Sequence, residues 1–350
     1  MQTNAYEDRL LWPDVMRVLA MFAVVVIHTS GYVVFDIGKV SPDWFWVANI
    51  YESAAMVGVN LFVMLSGALI LGGRQEPASV FFNKRIRKVL VPLMFWGTIF
   101  FIFNSHILGR PITVWDVFRQ IITGPLDSHL WFLYMVLGLY LLTPALRVYV
   151  KGASDGNLAY FVLLWFAATA VYSTMDKFIG FHPGVELPVG RFIGTYLLGY
   201  LLARVEYTGR VRAACHAAFL AGLAVTAAGT YCLNAGCAGG FDKFFHGNQS
   251  PNIIVMSAAC FLVLKNFDAG RYLDRFPVSY GYLRAVSGAT LGVYIVHVNV
   301  LHAIKDGLGL DAFTWHPLVA VPAASLAGYA VSLMVVLPMR RIPALRHLVP

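Results

Sequence analysis

An apolar segment over residues 12–34, with the sequence WPDVMRVLAMFAVVVIHTSGYVV, contains three ionisable side chains. A bilayer core about 30 Å thick is crossed by about 20 mostly apolar helical residues, so the segment is long enough to span a membrane. Asp14 and Arg17 are expected at one interface, and His28 well inside the bilayer. An ionisable side chain at that depth usually serves a function, and a polar contact to a neighbouring helix is the simpler alternative.

Arg17 and His28 are eleven residues apart on this helix. At about 100° and 1.5 Å per residue, they lie within about 20° of one face and about 16 Å apart along the axis. The first segment therefore predicts a helix that presents a cation at one interface and an imidazole on the same face, deep in the membrane.

The composition predicts a membrane protein. Of the 350 residues, 59% are hydrophobic and 13% charged, with a mean hydropathy of +0.68, whereas soluble domains have about 25% charged residues. We expect an all-α polytopic fold in contact with membrane lipids, with residues 1–350 as a single transmembrane domain. The net charge of +8 is typical of cytoplasmic loops and does not indicate nucleic-acid binding.

Ten apolar segments predict about ten transmembrane helices. They cover residues 12–34, 45–71, 87–107, 129–149, 158–175, 190–205, 213–233, 251–266, 286–304 and 317–338. With the N-terminus inside, nineteen of the 26 lysines and arginines lie on the inner side and seven on the outer side. The positive-inside rule therefore predicts that both termini are cytoplasmic.

Segments two and nine also carry buried polar residues. Glu52 is expected about 12 Å inside segment two by helical rise, where a carboxyl group needs a partner, and His28 and Arg191 are both candidates. In segment nine, Tyr294 and His297 are one turn apart on one face. His297 is expected at about the same depth as His28.

A basic cluster, Lys84-Arg85-Ile86-Arg87-Lys88, precedes segment three on the inner side. It is either an interface anchor attracted to anionic lipids or a phosphate-binding site in which Arg85 and Lys88, three residues apart, present donors on one side. Lys84 with Arg87 is a competing pair with the same spacing.

Outer residues include His129 and Trp131, where segment four enters the membrane. They are interpreted either as members of an interfacial aromatic belt or as part of a cavity wall.

Cys232 and Cys237 fall on the outer side, where they could form a disulfide bridge or remain free thiols. The sequence contains no HExxH motif and no cysteine set for a metal, so no metal site is expected.

Six motifs in order along the chain resemble the acyltransferase 3 family of integral-membrane O-acyltransferases. They are Asp14-x-x-Arg17 followed eleven residues later by His28, NLFVMLSGALI at 60–70, the basic cluster 84–88 leading to Pro92, HLWFLY at 129–134, TYLLGYLL at 195–202 and SGATLGVYIVH at 287–297.

This resemblance implies an enzyme of the bacterial plasma membrane that moves an acyl group, usually acetyl, from cytoplasmic acyl-CoA to a hydroxyl of a cell-surface glycan or lipid-linked saccharide. It implies a catalytic site with His28 as general base or acyl carrier. The expected site residues are His28, His297, Tyr294 and Glu52 for catalysis, Arg17, Asp14, Lys84, Arg85, Arg87 and Lys88 for acetyl-CoA, and His129, Trp131, Glu186 and Arg191 for the acceptor.

The positions of these residues are consistent with this resemblance. The phosphate groups of CoA need a cationic binding site, and the distance between Arg17 and His28 along the helix is comparable to the length of an extended pantetheine arm. The alternative is a protein of a different functional class, a transporter or flippase of a saccharide or lipid. Against it, the sequence shows no internal repeat and no matched pair of broken helices.

Overall fold

The computed structural model describes residues 11–73, 76–107, 109, 111–180, 188–235, 241–273, 275 and 278–350. These residues form helices joined by short connections, without a β-strand among them. The helices are α1 Trp12–Phe35, α2 Pro42–Ala55, α3 Val57–Leu71, α4 Ala78–Ile107, α5 Val114–Thr123, α6 Trp131–Gly152, α7 Asp155–Ile179, α8 Pro188–Leu202, α9 Gly209–Asn234, α10 Pro251–Lys265, α11 Gly270–Leu273, α12 Val278–Leu308 and α13 Pro317–Arg341. Single 3₁₀ turns, Ser128–Leu130 and Phe244–His246, precede α6 and α10.

Local sequence explains where several helices begin. Helices α2, α10 and α13 each start at a proline, which lacks the N–H that a first-turn residue leaves unpaired. Ser154 caps α7, and Thr208 caps α9, each by accepting a hydrogen bond from a first-turn backbone N–H. In the short outer helix α5, Thr113 and Asp116 form a reciprocal capping box.

Nine helical stretches of the described chain are long and apolar enough to cross a membrane, so the predicted all-α polytopic membrane fold is confirmed. They coincide with nine of the ten predicted segments. The second segment is divided into α2 and α3 by the single residue Met56. The sixth, 190–205, corresponds to α8, whose 15 residues extend only about 22 Å, and it packs against α3, α6, α7 and α10.

Helix α1 lies at the centre of the bundle, in contact with α2, α3, α10, α12 and α13. Most of its length is therefore surrounded by protein and not by lipid. This position explains how polar residues on α1 are accommodated, because they face other helices.

Helices α3 and α8 approach each other at two glycines. A Cβ atom added at Gly67 would lie 1.8 Å from the backbone oxygen of Tyr196, and one at Gly199 would lie 2.0 Å from that of Met64. Small residues at these positions let the two backbones touch, as is typical of membrane helix pairs.

Candidate active site

The inner end of α1 is fixed by a carboxyl group. Asp14 is buried, and its Oδ1 accepts hydrogen bonds from Arg17 at 3.0 Å and from the Ser287 hydroxyl of α12 at 2.6 Å. These contacts hold the Arg17 guanidinium in one direction. They also show that the start of α1 and residue 287 of α12 lie at the same level.

A cavity of about 390 Å³, here called the inner cavity, extends from this level. Arg17 and Arg85 are its cations, and apolar side chains of α3, α4 and α6 form most of its wall. On α12 the lining reaches Tyr294, seven residues beyond Ser287 and so about 10 Å further along the helix. The inner cavity thus runs from a cationic part toward the middle of the bundle.

The basic cluster is divided between two places. Arg85 and Val89 of α4 line the inner cavity, whereas Arg87 and Lys88 line a different pocket together with residues of the chain end, Arg340, Arg346, His347 and Pro350. Lys88 is only three residues from Arg85 on the helix, yet the structure places it with Arg87 in that second pocket. Arg85 is therefore the cluster residue that the structure places at the inner cavity, and the assignment of Lys84, Arg87 and Lys88 to CoA stays a prediction.

Glu76, which precedes α4, contacts both Arg85 and Lys84 of the basic cluster. Arg85 donates a hydrogen bond to Glu76 Oε1, and the Lys84 ammonium lies 3.9 Å from Oε2. The hydrogen bond from Arg85, with both nearby cations, holds the pKa of the Glu76 carboxyl below its usual value against the effect of burial. Lys84 itself is largely exposed.

A second cavity of about 500 Å³, the outer cavity, contains His28 in its wall. Tyr32, Glu52, His129, Trp131, Lys243, His246, Asn248 and His302 also line it. The outer and inner cavities share two lining residues, Phe132 and Tyr294. These two side chains therefore form the boundary between a space reached from Arg17 and a space that contains His28.

Three histidines meet at this boundary. The ring centroids of His28 and His297 are 4.9 Å apart, and those of His129 and His297 are 5.6 Å apart, both in edge-to-face contact. His297 is fully buried, and its Nδ1 lies 2.6 Å from the backbone oxygen of Tyr294. An N–H at Nδ1 donates to that oxygen, so Nε2 is an acceptor in the neutral ring, and it has no partner within the described chain.

His129 is buried and oriented at both nitrogens. Its Nδ1 lies 2.7 Å from Asp127 Oδ1, and its Nε2 lies 3.1 Å from the backbone oxygen of Ile295 on α12. The Tyr294 hydroxyl donates to the backbone oxygen of His129. Since both ring nitrogens face oxygen acceptors, only the doubly protonated ring satisfies both.

Asp127 was not singled out from the sequence, although the spacing Asp127-x-His129 is a usable signal. Burial alone would raise the pKa of Asp127, but hydrogen bonds from His129 and from Asn104, the latter at 3.0 Å, outweigh it and keep the pKa below its ordinary value. The carboxylate is therefore a suitable partner for a charged His129.

The family model described as an acyltransferase domain, acyltransferase 3, matches residues 10–337. The chain belongs to the acyltransferase 3 family. This membership supports membrane acyltransferase activity in general. Comparison with curated proteins and with solved structures gives no significant match.

Other residues expected to serve this acyltransferase lie in varied places. Glu52 is 2% exposed, and its closest ionisable partner is His246, with 3.7 Å between Oε1 and Nδ1. The two partners that the sequence suggested for Glu52 were His28 and Arg191, and neither makes this contact. His246 was missed because it lies in an outer connection with no helical periodicity. Arg191 lies over the ring of Tyr172 at 5.8 Å, and it lines neither cavity.

Two expectations fall outside the described residues. Glu186 is one, and Cys237 is the other, so the question of a bridge between Cys232 and Cys237 stays as the sequence left it. Within the described ranges, no group of three or more histidine, cysteine or carboxylate side chains is arranged to hold a metal ion.

Proposed function

We propose that this acyltransferase moves an acyl group, acetyl in the first instance, from acyl-CoA on the cytoplasmic side to a hydroxyl of a cell-surface glycan or lipid-linked saccharide. We place it in a bacterial plasma membrane, with residues 1–350 forming one transmembrane acyltransferase domain. The sequence motifs most resemble those of the O-acetyltransferase that decorates enterobacterial common antigen, which supports acetyl as donor group and a saccharide as acceptor.

The observation that carries the proposal is the shared boundary of the two cavities. Phe132 and Tyr294 belong to the walls of both, and His28 lies in the outer one. A donor and an acceptor entering from opposite sides of a membrane need such an arrangement, because each must reach the same atoms without crossing the bilayer.

The inner cavity has the chemistry that a CoA thioester requires. Arg17 and Arg85 supply fixed cations for phosphate groups, and Asp14 and Glu76 orient them. The largely apolar remainder of the wall suits the pantetheine arm and the acyl chain. A phosphate at Arg85 shares the guanidinium with Glu76 or displaces it.

His28 acts in this proposal as the general base. The acceptor oxygen attacks the thioester carbonyl carbon and forms the new C–O bond, while the hydroxyl proton passes to His28. The C–S bond then breaks, and the CoA thiolate leaves toward the inner side and takes up a proton. His297 touches His28 and positions its ring.

Tyr294 has a positioning role in the same scheme. Its hydroxyl proton is donated to the backbone oxygen of His129, so this group is not a donor to a developing oxyanion. Instead, Tyr294 links α12 to the start of α6 at the level where the cavities meet. His129, paired with Asp127, supplies a fixed positive charge close to that point.

The test is acetyl transfer in proteoliposomes. The full chain is reconstituted with radiolabelled acetyl-CoA and a lipid-linked saccharide extract of bacterial membranes, and base-labile label in the saccharide fraction is measured together with free CoA. We expect labelled product and stoichiometric CoA from the wild type, and neither from His28→Ala.

Two outcomes contradict the proposal. One is the absence of acceptor-dependent CoA release, and the other is an unchanged rate in His28→Ala. If label accumulates on the protein itself without acceptor and is lost in His28→Ala, His28 carries the acyl group and does not act as a base.

A further inference from the structure

Three buried polar atoms without hydrogen-bond partners in the described chain belong to residues that line the outer cavity. They are Glu52 Oε2, His246 Nδ1 and Asn248 Oδ1. Glu52 and His246 are 2% and 6% exposed, so water outside the protein does not satisfy them. Buried polar groups are nearly always hydrogen-bonded, and a set of three unpaired atoms around one cavity indicates a ligand.

His246 Nδ1 and Asn248 Oδ1 are acceptors, and the Glu52 carboxyl group accepts or donates according to its protonation state. The Ser53 hydroxyl donates its single proton to Asn49 Oδ1 at 3.2 Å, so it accepts from His246 Nε2, also at 3.2 Å. With the proton on Nε2, the neutral His246 ring has an unprotonated Nδ1. Its 3.7 Å separation from Glu52 Oε1 is too long for a hydrogen bond. The ligand must therefore supply at least two donors and a polar group that pairs with the Glu52 carboxyl group.

The same wall rules against a cationic ligand. Lys243 lines the outer cavity, and its ammonium lies 4.8 Å from the ring centre of Phe35. A second cation in this space would be repelled by that charge. Neutral hydroxyl groups supply donors without this penalty. The aromatic side chains of Tyr32, Phe35 and Trp131 in the same wall suit the apolar C–H faces of a sugar ring.

The Glu52 carboxyl group lies close to the reacting centre but not on it. A Cβ atom added at Gly31 would be 3.8 Å from Glu52 Oε1, so the carboxyl group faces α1 at the level of Gly31. That residue is one helical turn beyond His28 on α1. A single sugar ring spans such a distance, with one hydroxyl at His28 and its neighbours at Glu52.

We propose that Glu52, His246 and Asn248 form the recognition site for a neutral, hydroxyl-rich acceptor, whose adjacent hydroxyl groups hydrogen-bond to these three residues while another reaches His28. The inference rests on the proposed function for the role of His28. It changes the role of Glu52, which becomes a specificity-determining residue and does not act on the reacting atoms.

The experiment measures binding without any acyl donor. The purified full chain in detergent is titrated with the methyl glycosides of glucose, galactose, mannose and N-acetylglucosamine, with cyclohexylmethanol as an apolar alcohol and glucosamine as a cation. We expect at least one neutral glycoside to bind at least tenfold more tightly than cyclohexylmethanol and glucosamine. Glu52→Gln, which replaces one carboxyl oxygen by a donor, should weaken that glycoside about tenfold.

Glu206→Gln is the matched control, because it makes the same chemical change at an exposed side chain that lines neither cavity. It should leave glycoside binding unchanged. Folding of each variant is checked by its gel-filtration profile and by the shift in Tm that acetyl-CoA produces. In transfer assays, Glu52→Gln should raise KM for the acceptor with kcat little changed, in contrast to His28→Ala.

The inference is overturned if none of the four glycosides binds, if glucosamine or the apolar alcohol binds as tightly, or if a folded Glu52→Gln binds like the wild type. These results leave the proposed function standing whenever acetyl transfer occurs. Conversely, glycoside binding that is lost in Glu52→Gln, in a protein without transferase activity, supports the recognition site and contradicts the proposed function.

Discussion

The imidazole of His28 on α1 meets that of His297 on α12 edge to face, with 4.9 Å between ring centroids. The same two helices are joined further inward by the hydrogen bond from Ser287 to Asp14. Because residues 14 and 28 pair with residues 287 and 297 in the same order, α1 and α12 run parallel. The contacts between α1 and α12 therefore fix the relative positions of the Arg17 end of the site and of the two histidines.

The first prediction concerns the base. His28→Gln should lower the rate of acetyl transfer by about 10²–10⁴-fold, the usual contribution of a general base, with little change in Tm. His302→Gln is the matched control, since His302 lines the same outer cavity but contacts the Tyr32 hydroxyl at 2.9 Å. Equal losses of rate in the two variants would contradict the assignment.

The second prediction separates the two halves of the basic cluster. Arg85→Gln removes a cation from the inner cavity and should raise KM for acetyl-CoA about tenfold or more, because a hydrogen bond to a charged group contributes about 1.5–3 kcal/mol. Arg87→Gln changes a neighbouring cation in a different pocket and should leave KM nearly unchanged. Steady-state kinetics at fixed ionic strength distinguishes them, and the reverse ranking would refute the placement.

The third prediction concerns pH. The pKa of Asp127 lies below its ordinary value because hydrogen bonds from His129 and Asn104 outweigh burial. Such a carboxylate stabilises the folded state fully above its unfolded pKa, and this contribution is lost as pH falls through the lower, folded value. Asp127→Asn should therefore cost about 1–2 kcal/mol near neutral pH.

The loss caused by Asp127→Asn should begin to shrink below about pH 4, the ordinary pKa of an aspartate, and should disappear only as the pH falls through the lower, folded pKa, where the wild-type carboxylate becomes protonated. Thermal unfolding of both proteins in detergent from pH 3 to pH 8 measures the difference. A difference that stays constant across this range, or that grows in acid, would show that the ion pair with His129 does not contribute.

The fourth prediction concerns the contact of α3 with α8. Gly67→Ala places a methyl group against the backbone of Tyr196 and should destabilise the protein by about 1–3 kcal/mol, the usual cost of overpacking. Gly152→Ala is the control, because a Cβ atom there meets nothing within 4 Å. Similar Tm values for the two variants would mean that the helices separate without cost.

The sequence determined the fold class, since apolar segments of membrane length admit few structures other than helices. It also placed Arg17 with His28 on one face of the first segment and Tyr294 with His297 on one face of the ninth, because helical periodicity fixes which residues of one segment share a face. That these four residues serve one catalytic site stays a prediction. The family motifs lie on these same segments. Nine of the ten predicted segments were found as candidate spans for the same reason.

Contacts between segments were decided only by the tertiary structure. Periodicity within α4 did not reveal that Arg85 faces a cavity while Arg87 and Lys88 face the chain end. The roles of Asp127 and His246 were equally hidden, because both lie in connections outside the regular helices, where sequence spacing does not fix direction. Their positions follow from packing between distant parts of the chain, which a one-dimensional pattern does not contain.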